Sequence, residues 1–276
     1  MTTAATSSRA SLEDTFAALR AKKQIAMMPF IAAGYPDLAS TVATIPALQS
    51  AGANLIEIGF PFSDPIADGP VIQEAFVKTL AKKIRVADIF NAVKEARPNV
   101  SIPLVAMLSY SVVYRYGIDR FVKEAKAAGF DGLILPDLPP PEAEKICSLV
   151  QAGGLDTTLL VAPTTTAARR KEIARLSSGF IYYLSVSGIT GERDRLPADL
   201  EANLKQLKSL GDTPVCVGFG ISKPEHVAQL AGVADGAIVG TAFVRRMTQH
   251  AAEGPTGIAK ACGDYCRELL SKVRTG

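Results

Sequence analysis

Residues 54–73 read Asn54-Leu-Ile-Glu-Ile-Gly-Phe-Pro-Phe-Ser-Asp-Pro-Ile-Ala-Asp-Gly-Pro-Val-Ile-Gln73, a strand pattern that runs directly into a loop carrying carboxylates. Leu55, Ile56 and Ile58 are apolar and favour a strand, and the Gly/Pro/Ser/Asp cluster that follows ends it. Glu57 lies in the middle of this apolar strand. Since an unpaired buried carboxylate is costly, we expect Glu57 to be paired, protonated or part of a wet site.

The loop after this strand adds two further carboxylates, Asp64 and Asp68, and is stiffened by three prolines. A stiff polar loop just past a strand end is typical of active sites in parallel α/β folds. A structural ion pair, or a cap on a neighbouring loop, explains Glu57 equally well when that residue is taken alone. The loop favours the active-site interpretation.

The same strand-then-helix pattern recurs along the chain. Apolar runs predict eight strands, at residues 25–32, 55–58, 102–108, 132–135, 157–162, 180–186, 214–218 and 236–239. Helical spacing predicts helices at 11–22, 38–51, 71–81, 86–96, 119–128, 142–152, 167–177, 200–210, 224–230, 243–250 and 257–273. Eight such units predict an α/β fold, a single (β/α)8 TIM barrel with an extra N-terminal helix, and a doubly wound open sheet is the alternative. We expect a disordered tail at 1–8 and one catalytic domain at 9–276.

Composition excludes several classes of protein. The net charge is +3 and the basic residues are scattered, which argues against nucleic-acid binding. No apolar run is long enough for a membrane span. The four cysteines form no CxxC motif and the two histidines are far apart, so no metal site is predicted. The N-terminus lacks the apolar core of a secretory signal, and we expect a cytoplasmic protein.

Glycines mark the ends of the last two predicted strands, in Gly218-Phe-Gly-Ile-Ser222 and Gly240-Thr241. Glycine lets backbone N–H groups approach an anion, and a following helix N-terminus adds partial positive charge. Turn geometry alone explains either glycine pair, but their positions favour a phosphate site. The long polar loop Ser187–Pro197 after the sixth strand has the composition of a mobile lid.

Four segments together resemble the tryptophan synthase alpha subunit family: Pro29–Asp37, Glu57–Gln73, Tyr183–Gly191 and Val217–Ser222. The resemblance extends from about residue 10 to residue 273. It implies a lyase that cleaves indole-3-glycerol phosphate to indole and glyceraldehyde 3-phosphate by a retro-aldol reaction. It also implies a beta subunit, in an alpha2–beta2 heterotetramer, that receives indole through a tunnel for tryptophan synthesis. A stand-alone lyase that releases free indole is the alternative.

The resemblance also assigns roles to residues. Glu57 is the general acid–base, Asp68 binds the indole N–H, and Tyr182 lies near the glutamate. Tyr183 makes the last assignment uncertain by one residue, although alternation allows only one of the two inside the barrel. The remaining assignments are the phosphate site (Gly191, Phe219, Gly220, Gly240, Thr241), the indole pocket (Phe30, Leu108, Ile134) and the partner interface (Pro61, Phe62, Asp64, Pro65, Asp137). Each indole-pocket residue also fits as ordinary barrel filling.

One loop departs from the family pattern. The third loop commonly reads Tyr-Asn-Pro, whereas this chain has Tyr110-Ser111-Val112. The missing asparagine puts the strength of signalling between subunits in question, but not the chemistry. The lid that couples the two active sites corresponds to Thr190–Arg195. The resemblance implies no cofactor in this chain, and pyridoxal phosphate in the beta partner. A non-catalytic paralogue is disfavoured because Glu57 and Asp68 are both present.

Overall fold

Eight parallel strands close into a barrel. The computed structural model describes residues 9–65, 68–184, 199–218 and 220–273. The strands are β1 Ala26–Ala32, β2 Ile56–Gly59, β3 Leu104–Met107, β4 Gly132–Ile134, β5 Asp156–Val161, β6 Ile181–Leu184, β7 Val215–Gly218 and β8 Gly236–Val239. Each strand pairs with the next, and β8 pairs with β1. The barrel prediction is therefore confirmed, and the open-sheet alternative is wrong because an open sheet lacks the last pairing. The predicted tail at 1–8 lies outside the described residues.

Helices follow the strands and surround the barrel. They are α1 Leu12–Ala21, α2 Leu38–Ala51, α3 Pro70–Ala81, α4 Val86–Ala96, α5 Tyr110–Tyr116, α6 Ile118–Ala128, α7 Pro140–Ala152, α8 Ala167–Leu176, α9 Leu200–Lys208, α10 Pro224–Leu230, α11 Thr241–Gln249 and α12 Gly254–Leu270, with 3-10 turns at Arg97–Asn99 and Ala251–Glu253. The sequence predicted a loop where α5 lies. Ser109 caps this short helix by accepting a hydrogen bond from the Ser111 N–H, and Val113 anchors it in the core.

Side chains alternate between the barrel interior and the outer layer beneath the helices. The interior cluster comprises Leu12, Phe16, Leu19, Ala26, Met28, Leu55, Val105, Ile134, Phe180, Tyr182, Cys216 and Ile238. Three of these belong to α1, the predicted extra helix, which begins with a capping box between Ser11 and Asp14. Leu12 lies against Gly132, the first residue of β4, and Gly179, two residues before β6. Helix α1 therefore covers the N-terminal end of the barrel, and the carboxyl ends of the strands lie at the opposite end.

A network of charged side chains also lies at the N-terminal end. Asp131, directly before β4, accepts hydrogen bonds from Arg97 at 2.7 Å and from Arg9 at 2.8 Å. Its Oδ2 also accepts the N–H of Leu104, the first residue of β3, at 2.9 Å. Both Asp131 and Arg97 are buried. The network ties the segment before α1 to the starts of two strands. In the described part of the chain, no helix combines the length and apolar character that crossing a membrane requires.

Candidate active site

Glu57 points into the barrel from the middle of β2. It follows Leu55 of the interior cluster by two residues and pairs in register with Phe30 of β1 and Val105 of β3. Its side chain is fully buried, and among the described residues neither carboxylate oxygen has a hydrogen-bond partner. Burial therefore raises the pKa of Glu57 well above its ordinary value, because nothing compensates the lost hydration of the charged form. Of the three states expected from the sequence, this environment favours the protonated one.

Asp68 lies in the loop between β2 and α3, directly before Gly69, the N-cap of that helix. Its backbone N–H donates to the carbonyl of Pro65 at 3.0 Å. The side chain is half-buried, and burial raises the pKa of Asp68 to about 6. Its carboxyl group therefore changes charge just below neutral pH, where a small change in its burial alters the charged fraction.

Strand β6 carries two adjacent tyrosines with opposite orientations. Tyr182 belongs to the interior cluster, with its ring centroid 6.5 Å from that of Phe180. Tyr183 packs in the outer layer between the sheet and the helices. Burial, and then the negative charges of Glu57 and Asp68, raise the pKa of Tyr182 well above its ordinary value. Of the two tyrosines, Tyr182 is therefore the one whose pKa is raised by the charges of both carboxylates.

Gly218, the last residue of β7, makes room for Tyr182. A Cβ atom at Gly218 would lie 2.3 Å from the tyrosine hydroxyl oxygen. A side chain at this position would displace the hydroxyl group. The sequence suggested only a phosphate-loop role for Gly218, because the contact joins two strands that lie far apart in the chain.

A cavity of about 330 Å³ opens beside Asp68 at the carboxyl end of the barrel. Its lining residues are Phe30, Phe60, Phe62, Asp64, Pro65, Asp68, Phe76, Met107, Leu108, Ser109, Pro136 and Asp137. Phe30 and Leu108 of the predicted indole pocket are among them. Ile134 lies in the interior cluster and is not one of these lining residues, so its contact with a ligand stays a prediction. Phe60, Phe76 and Met107 could not be recognised as lining residues from the sequence, because their apolar character is equally typical of the core.

Four of the five predicted interface residues, Phe62, Asp64, Pro65 and Asp137, line this cavity, and Pro61 is half-buried beside them. Asp137 also has partners within the chain, since it accepts hydrogen bonds from the Ser109 hydroxyl at 2.6 Å and the Tyr110 N–H at 2.7 Å. The Ser111 and Ser109 hydroxyl oxygens are 2.7 Å apart. Ser111 therefore joins a network that connects the loops after β3 and β4.

The predicted phosphate site is described in part. Gly240 is the N-cap of α11 and Thr241 is the first residue of that helix, two residues earlier than the predicted start. Gly220 has φ +85°, a conformation that favours glycine. Gly191 and Phe219 lie outside the described residues, as do the predicted lid Thr190–Arg195 and the rest of 185–198.

Two side chains hold the end of the loop after β7. The N–H of Ser222 donates to Nδ1 of His226 at 3.3 Å, and the carbonyl of Ser222 accepts the Tyr265 hydroxyl at 2.7 Å. The Tyr265 ring also packs edge-on against Phe243 of α11, at 5.0 Å between centroids. Tyr265 therefore contacts Ser222, two residues after Gly220, and Phe243 on the helix that begins at Thr241. Across the described residues, no group of three or more His, Cys, Asp or Glu side chains can hold a metal ion.

Comparison with known proteins identifies the family. The family model described as "Tryptophan synthase alpha chain" matches residues 16–273. The tryptophan synthase alpha chain of Rippkaea orientalis is 44% identical over 266 residues, which are 96% of this chain and 98% of that protein. The alpha chain of Chloroflexus aurantiacus is 45% identical, over 95% of this chain and 98% of that protein.

Solved structures agree with the sequence comparisons. A chain of Mycobacterium tuberculosis tryptophan synthase superimposes with a TM-score of 0.87 at 35% identity, covering 97% of this chain and 100% of that chain. A mutant tryptophan synthase alpha-subunit from Pyrococcus furiosus superimposes with a TM-score of 0.82 at 35% identity, over 90% and 98% of the two chains. With a family model over most of its length and relatives above 40% identity, this chain belongs to the tryptophan synthase alpha chain family.

Proposed function

We propose that this chain is a carbon–carbon lyase that cleaves indole-3-glycerol phosphate to indole and glyceraldehyde 3-phosphate. Membership of the tryptophan synthase alpha chain family supports the substrate. The observation that carries the mechanism is Glu57, a fully buried carboxyl group with no hydrogen-bond partner among the described residues, on the barrel interior. A carboxyl group whose pKa is raised by burial can both donate and accept a proton near neutral pH.

The proposed reaction moves one proton through Glu57. Protonated Glu57 delivers its proton to C3 of the indole ring, which becomes positively charged at N1. The carboxylate then takes the proton from the hydroxyl group on the neighbouring glycerol carbon. As the hydroxyl becomes an aldehyde carbonyl, the bond between the ring and the glycerol breaks, and its electron pair restores the aromatic indole. Glu57 ends protonated again, so the cycle needs no other acid or base.

Asp68 supplies the negative charge that this intermediate requires. Its carboxylate accepts a hydrogen bond from indole N1–H and stabilises the positive charge that develops on the ring. The pKa of Asp68 is about 6, so the group is ionised at neutral pH and loses its charge as the pH falls through that value. The apolar lining that includes Phe30 and Leu108 suits the flat indole ring, and we assign Ile134 of the interior cluster to the same pocket.

Tyr182 remains a neutral hydrogen-bond donor beside the glutamate, because burial and two nearby carboxylates raise the pKa of its phenol. We assign it to orient the reacting groups. For the phosphate we propose the backbone N–H groups of Gly191, Phe219, Gly220, Gly240 and Thr241 with the Thr241 hydroxyl. Helix α11 begins at Thr241 and contributes the partial positive charge of its N-terminus.

We further propose a cytoplasmic alpha2–beta2 complex in which indole passes to a beta subunit. Phe62, Asp64, Pro65 and Asp137 line the cavity, and with Pro61 they form the surface that we assign to the partner. Pyridoxal phosphate is assigned to the beta subunit, and no cofactor to this chain. The Ser109–Ser111–Asp137 contacts offer one replacement for the asparagine common in this loop of the family.

The rate of indole release from indole-3-glycerol phosphate tests the proposal. We expect slow release by the purified chain alone and a steep rise when a tryptophan synthase beta subunit is added. Fast release that a beta subunit leaves unchanged would support the stand-alone lyase instead. If no indole forms under either condition, the proposed substrate is wrong.

A further inference from the structure

Gln73 connects helix α3 to the loop that carries Asp68. Its side-chain Nε2 donates to the carbonyl of Asp68 at 2.8 Å and to the carbonyl of Pro65 at 3.1 Å. An amide nitrogen has two hydrogens, so these two bonds use both of its donors. One side chain thereby binds the backbone at Pro65 and at Asp68.

The helix gives Gln73 a rigid base. Helix α3 buries Ile72, Ala75 and Phe76 against the core, and Gln73 lies in its first turns, directly after Ile72. The helix begins at Pro70 after Gly69, which has no side chain to cap it. Gln73 therefore reaches back from a packed helix to the backbone that precedes the helix.

We propose that Gln73 is a positioning residue that sets the depth at which Asp68 faces the substrate cavity. The inference rests on the proposed function, in which the Asp68 carboxylate meets the indole N–H. Gln73 binds the backbone of Asp68 and leaves its carboxylate available to the ligand. A displacement of about 1 Å in a group that contacts the reacting substrate can cost about 100-fold in rate.

The pKa of Asp68 depends on how deeply its carboxyl group is buried, so it reports the position that Gln73 sets. Its pKa is about 6 because the carboxyl group is partly buried. Without the tether, the loop relaxes toward water and the pKa of Asp68 falls toward its ordinary value of 3.8. The charge of Asp68 acts on Tyr182 of β6, as does that of Glu57 on β2, and Asp64 and Asp137 line the same cavity as Asp68. None of these lies on α3, so replacing Gln73 leaves them in place.

Two variants distinguish the loss of the Gln73 hydrogen bonds from a general loss of stability. Gln73→Met keeps the length of the side chain and removes both donors, and Gln73→Glu keeps the shape but turns a carboxylate toward two carbonyl oxygens. We expect Gln73→Met to lower kcat by about 10- to 100-fold with a smaller change in KM. The acid limb of the kcat/KM profile should move to lower pH. Gln73→Glu should lose at least as much activity.

Gln151 provides a matched control. Its Nε2 also bridges two oxygens, the Thr157 hydroxyl at 2.9 Å and the Leu176 carbonyl at 3.2 Å, near the start of β5. Gln151→Met should lower Tm about as much as Gln73→Met does, yet leave kcat and the pH profile unchanged. A purely structural role for Gln73 predicts the same behaviour for both variants.

A titration that needs no activity completes the test. The Asp68 carboxyl is followed by 13C NMR, with its signal assigned by Asp68→Asn, in the wild type and in Gln73→Met. A lower Asp68 pKa in the variant supports the tether. Unchanged kcat together with an unchanged Asp68 titration overturns it. A wild-type chain that releases no indole refutes the proposed function, while the titration still decides the role of Gln73.

Discussion

Two buried carboxyl groups in this barrel have opposite environments. Asp131, at the N-terminal end, accepts hydrogen bonds from Arg97, Arg9 and the backbone of Leu104. Glu57, inside the barrel, has no hydrogen-bond partner among the described residues. Burial alone therefore does not separate a structural carboxylate from the one that we propose to be catalytic, and the difference lies in what each carboxylate contacts.

The two environments have different energetic consequences. The carboxylate of Asp131 stabilises the positive charge of the Arg97 guanidinium, although burial still lowers the pKa of Arg97 to about 10. Glu57 has no hydrogen-bond partner in the described part of the chain, so its charged form is destabilised and its protonated form is favoured. We infer that the N-terminal end uses its carboxylate for stability and the interior uses its own for chemistry.

Replacing Glu57 by glutamine tests the chemical half of this comparison and should have the largest effect. Glu57→Gln preserves the size of the side chain but cannot transfer a proton, so we expect indole release to fall by about 1,000-fold or more. Exposed Glu95→Gln is the control for charge and should retain the wild-type rate. If Glu57→Gln keeps about a tenth of the wild-type turnover, the acid–base assignment is wrong.

The stability of the same variant carries a pH signature. Burial holds the pKa of Glu57 above its ordinary value of 4.5 in the folded chain. Between pH 4.5 and the raised pKa of Glu57, the folded chain binds a proton at Glu57 that the unfolded chain releases. The free energy of unfolding therefore falls as the pH rises from about 4.5 through the folded pKa, and Glu57→Gln should lack this part of the decline. Denaturant unfolding at a series of pH values measures the difference.

Removing the carboxylate of Asp131 tests the structural half. Asp131→Ala leaves the Arg97 charge buried without its partner, and we expect a loss of about 3–5 kcal/mol in the free energy of unfolding. Turnover per folded molecule should stay at the wild-type level. Asp264, which pairs with Lys260 and Arg267 on the surface, is the matched control, and Asp264→Ala should lose much less stability. If Asp131→Ala and Asp264→Ala lose the same free energy of unfolding, the buried ion pair is no more important for stability than the surface one.

The barrel could be predicted because each of its units is local. Apolar runs and helical spacing are visible within about ten to fifteen residues, and eight repeats of that pattern favour one architecture. Glu57 was conspicuous for the same reason, as a carboxylate within an apolar strand. Helix α5 was missed because its seven residues carry little apolar periodicity, and Val113 is its one buried residue.

The contacts between distant segments could not be predicted. Asp131 is 34 residues from Arg97 and 122 residues from Arg9, so nothing near it in the sequence marks a charged network. The choice between Tyr182 and Tyr183 needed the register of β6, since alternation shows only that the two differ. The tether from Gln73 depends on the geometry of a loop that no local pattern specifies. Functional geometry in this chain is therefore mostly non-local, even where the functional residue types are locally visible.

Tyr265 combines features of Asp131 and Glu57, and its replacement should have the smallest effect of those considered. Its hydroxyl is satisfied, as Asp131 is, yet it bonds the carbonyl of Ser222 next to the predicted phosphate site. Tyr265→Phe removes one hydrogen bond and keeps the ring against Phe243. A hydrogen bond contributes about 1 kcal/mol, so we expect KM for indole-3-glycerol phosphate to rise about fivefold with kcat unchanged.

Tyr116 supplies the control for this last prediction, because its hydroxyl donates to Glu124 on α6, a contact outside the proposed phosphate site. Tyr116→Phe should leave KM unaltered. If Tyr265→Phe lowers Tm but leaves KM at the wild-type value, satisfied polar groups near the site serve stability just as Asp131 does. A rise in KM means instead that a satisfied group can serve function by holding the loop that binds the phosphate. The presence or absence of a hydrogen-bond partner would then indicate which residues exchange protons. It would not indicate which residues matter for activity.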